Sequence, residues 1–167
     1  MHKMTEENVG AALAGESQAH IRYLNFAAQA EKDGKPNVAR LFAAAAFSEQ
    51  MHASAHLRVI GGVKGTSDNL AAAGGGENFE VEEMYPAYIA VAEAQKEPDA
   101  KKSFHRAIEA EKIHHGLYQR AKQAVDGGKD FQIGEIWVCG CCGFTMEGNP
   151  PDKCPICGAD KSMFKKF

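Results

Sequence analysis

No run of apolar residues in this 167-residue chain approaches the roughly 20 needed to span a bilayer, so no membrane role is expected. The opening residues, Met1 to Asn8, lack the apolar stretch of a secretory signal, and the chain is expected to act in the cytoplasm. An excess of positive charge is also missing. The net charge is −3, which argues against a surface built to neutralise phosphates and hence against a nucleic-acid partner. Cysteine is absent from the first 138 residues; all five lie between 139 and 157, an odd count for disulfides and a paired spacing that suits a metal. There is no repeat at solenoid spacing and no low-complexity tract. What remains, 44% hydrophobic and 25% charged residues, is the composition of an ordinary globular protein with one sizeable core and room for a small appendage.

The chain punctuates itself into four helical stretches. Thr5, Glu6 and Glu7 suit a first helix start, and Asp33-Gly34 its stop. Pro36 suits the first turn of a second helix ending at Gly61-Gly62. Residues 61–76 read as the loosest segment, and a third helix is expected from about Glu77 to Gln95, disturbed by Pro86. Asp99 suits the cap of a fourth, which stops at Gly127-Gly128. Four such helices with short connections predict a mainly α fold, an antiparallel four-helix bundle over residues 1–128. From Phe131 to Val138 the sequence alternates and is rich in Ile, Val and aromatics, which predicts a strand, and turn-forming residues follow. This second domain, 129–167, is too small to fold on burial alone and needs a metal staple.

Two copies of Glu-x-x-His mark the second and fourth helices: Glu49 with His52, and Glu111 with His114. Residues three apart share a helical face, so each copy aims a carboxylate and an imidazole at one place. A single copy is commonly a solvated helix surface; two copies on alternate helices are the pattern of a di-iron carboxylate bundle. Glu16 on the first helix and Glu77 on the third complete a minimal set of four carboxylates and two imidazoles, and Glu80 is a fifth carboxylate. Carboxylates suit hard iron and can bridge two ions, which imidazole cannot.

The second signature is Cys139-x-x-Cys142 and Cys154-x-x-Cys157, with eleven residues between the pairs. Tight Cys-x-x-Cys-Gly turns place two thiolates on one metal, and the glycine permits the positive φ required there. Both pairs end in Cys-Gly only if Cys142 is the ligand, which leaves Cys141 over as a free thiol. Four sulfurs suit iron or zinc equally by geometry. Trp137, Phe144 and Phe164 are expected to pack around this site.

Taken in order, Glu16, Glu49-x-x-His52, Glu77-Asn-Phe-Glu80 with Met-Tyr85-Pro, Glu111-x-x-His114 and the four-cysteine pattern resemble rubrerythrin over the whole chain. The resemblance implies a ferritin-like di-iron domain followed by a rubredoxin-like domain holding a third iron. It implies Glu49 and Glu111 as bridging ligands, Glu16 and Glu80 as terminal on one iron, and Glu77 with His114 on the other. It further implies that His52 exchanges with Glu80 when the iron is reduced, and that Tyr23 and Tyr85 donate hydrogen bonds to ligand carboxylates. Against their ordinary role as core aromatics, Tyr23 lies two turns from Glu16 on the same face. One departure stands out: Gly74-Gly75-Gly76 precedes Glu77 where the family carries bulkier residues, predicting a mobile Glu77 end or a late helix start.

The function this implies is reduction of hydrogen peroxide to water in oxidative stress defence. Electrons would come from an external donor, a rubredoxin or an NADH-dependent reductase, in keeping with the lack of a Gly-x-Gly-x-x-Gly nucleotide fingerprint. The family also implies a homodimer or higher homo-oligomer, with the rubredoxin-like site of one subunit near the di-iron site of the other. Two rivals belong to other classes: a ferroxidase or iron-handling protein with a structural zinc ribbon, and a zinc-ribbon interaction protein with a vestigial bundle. The complete ligand set opposes the latter. Glu80, superfluous to a plain six-ligand site, opposes the former.

Overall fold

The computed structural model describes residues 1–167, which divide into two compact units, Met1–Lys64 and Gly65–Phe167. The first unit is a helical hairpin of α1, Lys3–Lys32, and α2, Pro36–Val59. Alanine makes its seam: Ala19, Ala30, Ala39 and Ala46 are buried, and side chains this small let two backbones approach closely. The reversal needs Gly34 at φ 67°, where a Cβ would clash with its own backbone. Pro36 opens α2 at a position whose N–H has no intrahelical partner in any case. Midway along the seam His20 Nδ1–H donates to the Ala46 carbonyl at 2.7 Å, so His20 holds the hairpin together.

The second unit begins with α3, Thr66–Phe79, which runs without a break into a π-helical turn, Glu80–Met84, and α4, Tyr85–Ala94. Here the sequence misled. Residues 66–76, expected to be loose, are helical, and the three glycines lie inside the helix. Each costs about 1 kcal/mol relative to alanine, but packing overrides this. Gly74 is buried, faces Tyr118, and its carbonyl accepts a hydrogen bond from His115 Nδ1–H at 2.9 Å. The disturbance expected at Pro86 falls just before it: without an N–H, proline cannot continue the hydrogen-bond ladder, and the preceding turn widens into the π form. Helix α5, Pro98–Asp126, returns antiparallel along α3 and α4 and starts at Pro98 with Glu97 as its cap residue, in place of the expected Asp99.

The cysteine-bearing module belongs to this second unit. Its sheet has the order β2-β1-β3, with β1 Ile136–Cys139, β2 Thr145–Glu147 and β3 Phe164–Lys166, all pairs antiparallel. The strand expected from Phe131 starts only at Ile136, because β2 and β3 are three residues long and reach no further back. Cys139, Cys154 and Phe164 form its small core, packed by Trp137, Phe144, Met146 and Ile156.

Candidate metal centres

Three groups of donor side chains converge. In the first unit Glu16, Glu49 and His52 place ligand atoms within 4.8 Å of one another. His52 Nδ1 lies 3.0 Å from Glu49 Oε2 and 3.8 Å from Glu16 Oε1. In the second, Glu77, Glu111 and His114 do the same, with His114 Nδ1 at 2.7 Å from Glu111 Oε2 and 3.9 Å from Glu77 Oε1. The two trios have the same make-up, two carboxylates and an imidazole. Aromatic clusters repeat as well: Tyr23, Phe26 and Phe42 in the first unit, and Tyr85, Tyr88 and Phe104 in the second. Phe42 and Phe104 each lie seven residues before the Glu of their Glu-x-x-His. Tyr23 is seven residues after Glu16, and Tyr85 eight after Glu77; the π turn accounts for the extra residue.

Glu80 stands on that π turn, outside the tight trio but within electrostatic reach of it. Burial raises its carboxyl above the ordinary range and the Glu111 charge raises it further, with His114 opposing. Glu77 is pushed to about 7, first by burial, then by its hydrogen bond and repulsion with Glu111 and by Glu80. Three crowded, part-buried carboxylates are the environment that a multivalent cation relieves, and the donors present fit iron. Tyr85 and Tyr118 are held neutral by burial and then by these carboxylates, so each remains a hydrogen-bond donor beside them.

For the metal-free protein the sign of the pH dependence follows. Glu77 binds its proton more tightly folded than unfolded, so its contribution to stability is full below pH 4.5 and is lost as pH rises to about 7. We expect the melting temperature of metal-free protein to fall across that interval by more than it does in Glu77→Gln. Equal slopes in thermal denaturation series of the two proteins would contradict the assignment.

Sequence reasoning missed two residues here. Tyr118, one turn after His114, has its ring 6.5 Å from the imidazole; its spacing of seven from Glu111 was the available signal. Thr145 is buried on β2, and its hydroxyl lies 2.7 Å from His114 Nε2 and donates to the Gly143 carbonyl at 3.0 Å. With its proton so engaged, Thr145 accepts from Nε2–H, which fixes the ring so that Nδ1 faces the carboxylates. No local sequence pattern signals this, since the contact spans 31 residues.

Cys139, Cys142, Cys154 and Cys157 form the third group. Sulfur separations of 3.7 Å between Cys139 and Cys157 and 3.6 Å between Cys142 and Cys154 match the edge of a tetrahedron with metal–sulfur bonds of about 2.3 Å. Gly143 and Gly158 close the two turns at φ 80° and 74°, the conformation for which glycine was expected. Burial pushes the Cys142 thiol upward, so only a bound cation makes it a thiolate at neutral pH. Cys141 is exposed and outside the cluster. Cys141→Ser is expected to keep the visible thiolate–iron absorption and Cys142→Ser to lose it; the reverse result would put the register one residue off.

Carboxylate–imidazole trios on helical hairpins, joined to a four-thiolate knuckle pair, define a non-haem metalloprotein with two chemically distinct kinds of metal site. Residues 7–122 match the rubrerythrin family model and 137–165 the model for the rubredoxin-like domain of rubrerythrin. The chain is 41% identical to rubrerythrin-2 of Clostridium acetobutylicum, over 98% of this chain and 97% of that one. It is 32% identical to nigerythrin of Nitratidesulfovibrio vulgaris, over 98% and 86% of the two chains. The solved structure of fully reduced, all-ferrous nigerythrin superposes with a TM-score of 0.55. The chain belongs to the rubrerythrin family. Its fold is accordingly mainly α and ferritin-like with a small C-terminal sheet, and the family's di-iron and rubredoxin-like iron sites have their donor sets here. No helix is long and apolar enough to cross a membrane.

Proposed function

We propose that this protein is a cytoplasmic peroxide reductase, organised as a di-iron domain over 1–128 and a rubredoxin-like domain over 129–167. The reaction is H2O2 + 2 e⁻ + 2 H⁺ → 2 H2O, with electrons from an external rubredoxin or NADH-dependent reductase, in a homodimer or higher homo-oligomer. When bound and reduced, the iron pair would supply two electrons to an O–O bond, and the four-cysteine iron would supply single electrons to restore it. In this reading Glu49 and Glu111 would be shared by the two ions, and Glu16, Glu77, Glu80, His52 and His114 would complete the ligand set. Cys139, Cys142, Cys154 and Cys157 hold the third iron. Tyr23 and Tyr85 orient ligand carboxylates; Tyr85, kept neutral by burial and then by the carboxylates around it, retains the proton needed for that role.

The observation that carries the reading is the join between the two kinds of site: Thr145, three residues beyond Cys142, meets the imidazole of His114. A structural zinc ribbon has no reason to touch a ligand of the iron pair, whereas an electron donor does. Metal analysis of anaerobically purified protein tests it. We expect three irons per chain and a red oxidised protein that dithionite bleaches. Two irons and one zinc after iron-replete growth would favour the ferroxidase reading instead.

A further inference from the structure

The connection between α2 and α3 is short for the fold. Ferritin-like bundles need one long crossover, which returns the chain along the bundle so that the second and third helices run parallel. Here α2 ends at Val59 and α3 begins at Thr66, leaving six residues, 60–65. Glu49 lies ten residues before the end of α2 and Glu77 eleven after the start of α3. For parallel helices with these two carboxylates level, the connection must climb about 15 Å and then about 16 Å, besides stepping sideways by about 8–10 Å. Seven Cα–Cα steps reach at most about 25 Å when fully extended. This connection is not fully extended: Gly61 turns at φ 70° and Gly62 N–H returns to the Leu57 carbonyl.

An up-down-up-down closure within one chain would avoid the climb, but at a chemical cost. It would run α2 and α5 parallel and set His52 and His114 on the same side of Glu49 and Glu111. The ferritin-like arrangement sets the imidazoles on opposite sides, one for each metal.

We propose that each di-iron centre is shared between two copies of this chain, with Glu16, Glu49 and His52 from one and Glu77, Glu80, Glu111 and His114 from the other. Each hairpin then meets its complement in the second copy, and a dimer holds two centres. The proposal rests on the di-iron reading above and adds which copy supplies each half. The first hairpin carries ring and branched surface suited to a partner: Phe26, packed tilted against Tyr23 and edge-on to Phe42, and Val38, three turns before Glu49, are exposed. On the second, Tyr88 of the matching cluster is exposed. Because the module holding Thr145 packs on α5 of its own chain, each cysteine site serves a centre to which both chains contribute.

The test is complementation between two disabled full-length chains. One carries Glu16→Gln with Glu49→Gln, the other Glu111→Gln with His114→Asn, and each has its own affinity tag. Heterodimers purified through both tags after co-expression should hold one intact di-iron centre per dimer, read by iron content and the visible spectrum. Each disabled homodimer should hold none. Helical circular dichroism confirms that the bundle of every variant has folded, and the absorption of the four-cysteine site that its small domain has. Heterodimers with no di-iron centre, or failure to form heterodimers, would overturn the exchange, provided the wild-type chain binds its iron pair. A wild-type protein without that pair would instead refute the di-iron reading. Lengthening 60–65 by about a dozen flexible residues gives the chain the reach to close its own bundle. Monomers with intact centres are then expected, and an unchanged dimer would count against the proposal.

Discussion

Glu111→Ala should abolish the iron pair and peroxide reduction together while leaving the four-cysteine site spectrally intact. Glu111 is the hub of its half of the site. It contacts His114 at 2.7 Å, hydrogen-bonds and repels Glu77, and its charge is felt by Glu80, Tyr85 and Tyr118. Removing it deletes one of the two anions proposed to be shared by both metals and leaves paired cations under-neutralised in a part-buried cluster. Losing an outer hydrogen-bond partner of a ligand costs about 10–100-fold in affinity or activity, and losing a shared ligand should cost more. Iron content and turnover check this. Two irons and near-normal turnover in the variant would remove α5 from the site.

Glu80→Ala should separate loading from turnover. Glu80 lies on the π turn outside the tight trio, and burial together with Glu111 keeps it reluctant to ionise. The remaining carboxylates and two imidazoles suffice for a ferrous pair, so ferrous iron should bind near-normally. Peroxide turnover should fall sharply, because more highly charged ferric ions favour the missing carboxylate. Stopped-flow mixing of the reduced variant with peroxide decides it. Wild-type rates would make Glu80 an ordinary surface carboxylate and restore the ferroxidase reading.

The grouping of these carboxylates and imidazoles could be read from sequence because helical spacing is rigid: Glu49 and His52, or Glu111 and His114, share a face in any α-helix. The cysteine turns were legible for a similar reason, since Gly143 and Gly158 must follow the second thiolate at positive φ. Gly74–Gly76 misled because intrinsic propensity penalises what the contacts with Tyr118 and His115 repay. The strand at 131–138 was over-read because alternation does not reveal where partner strands stop. Thr145 and the connection at 60–65 carry meaning only in three dimensions. One depends on a contact between distant residues, the other on comparing a length with the climb the fold requires.

In the proposed function the iron pair reduces peroxide with electrons relayed from the four-cysteine site. The most direct measurement mixes anaerobically reduced full-length protein with a small excess of hydrogen peroxide and follows both the red thiolate–iron absorption and the peroxide consumed. The red colour should return rapidly, with two electrons lost from the protein per peroxide removed, and Glu111→Ala should show neither at a comparable rate. Peroxide that persists beside the reduced protein, or colour that returns equally fast in Glu111→Ala, would contradict it.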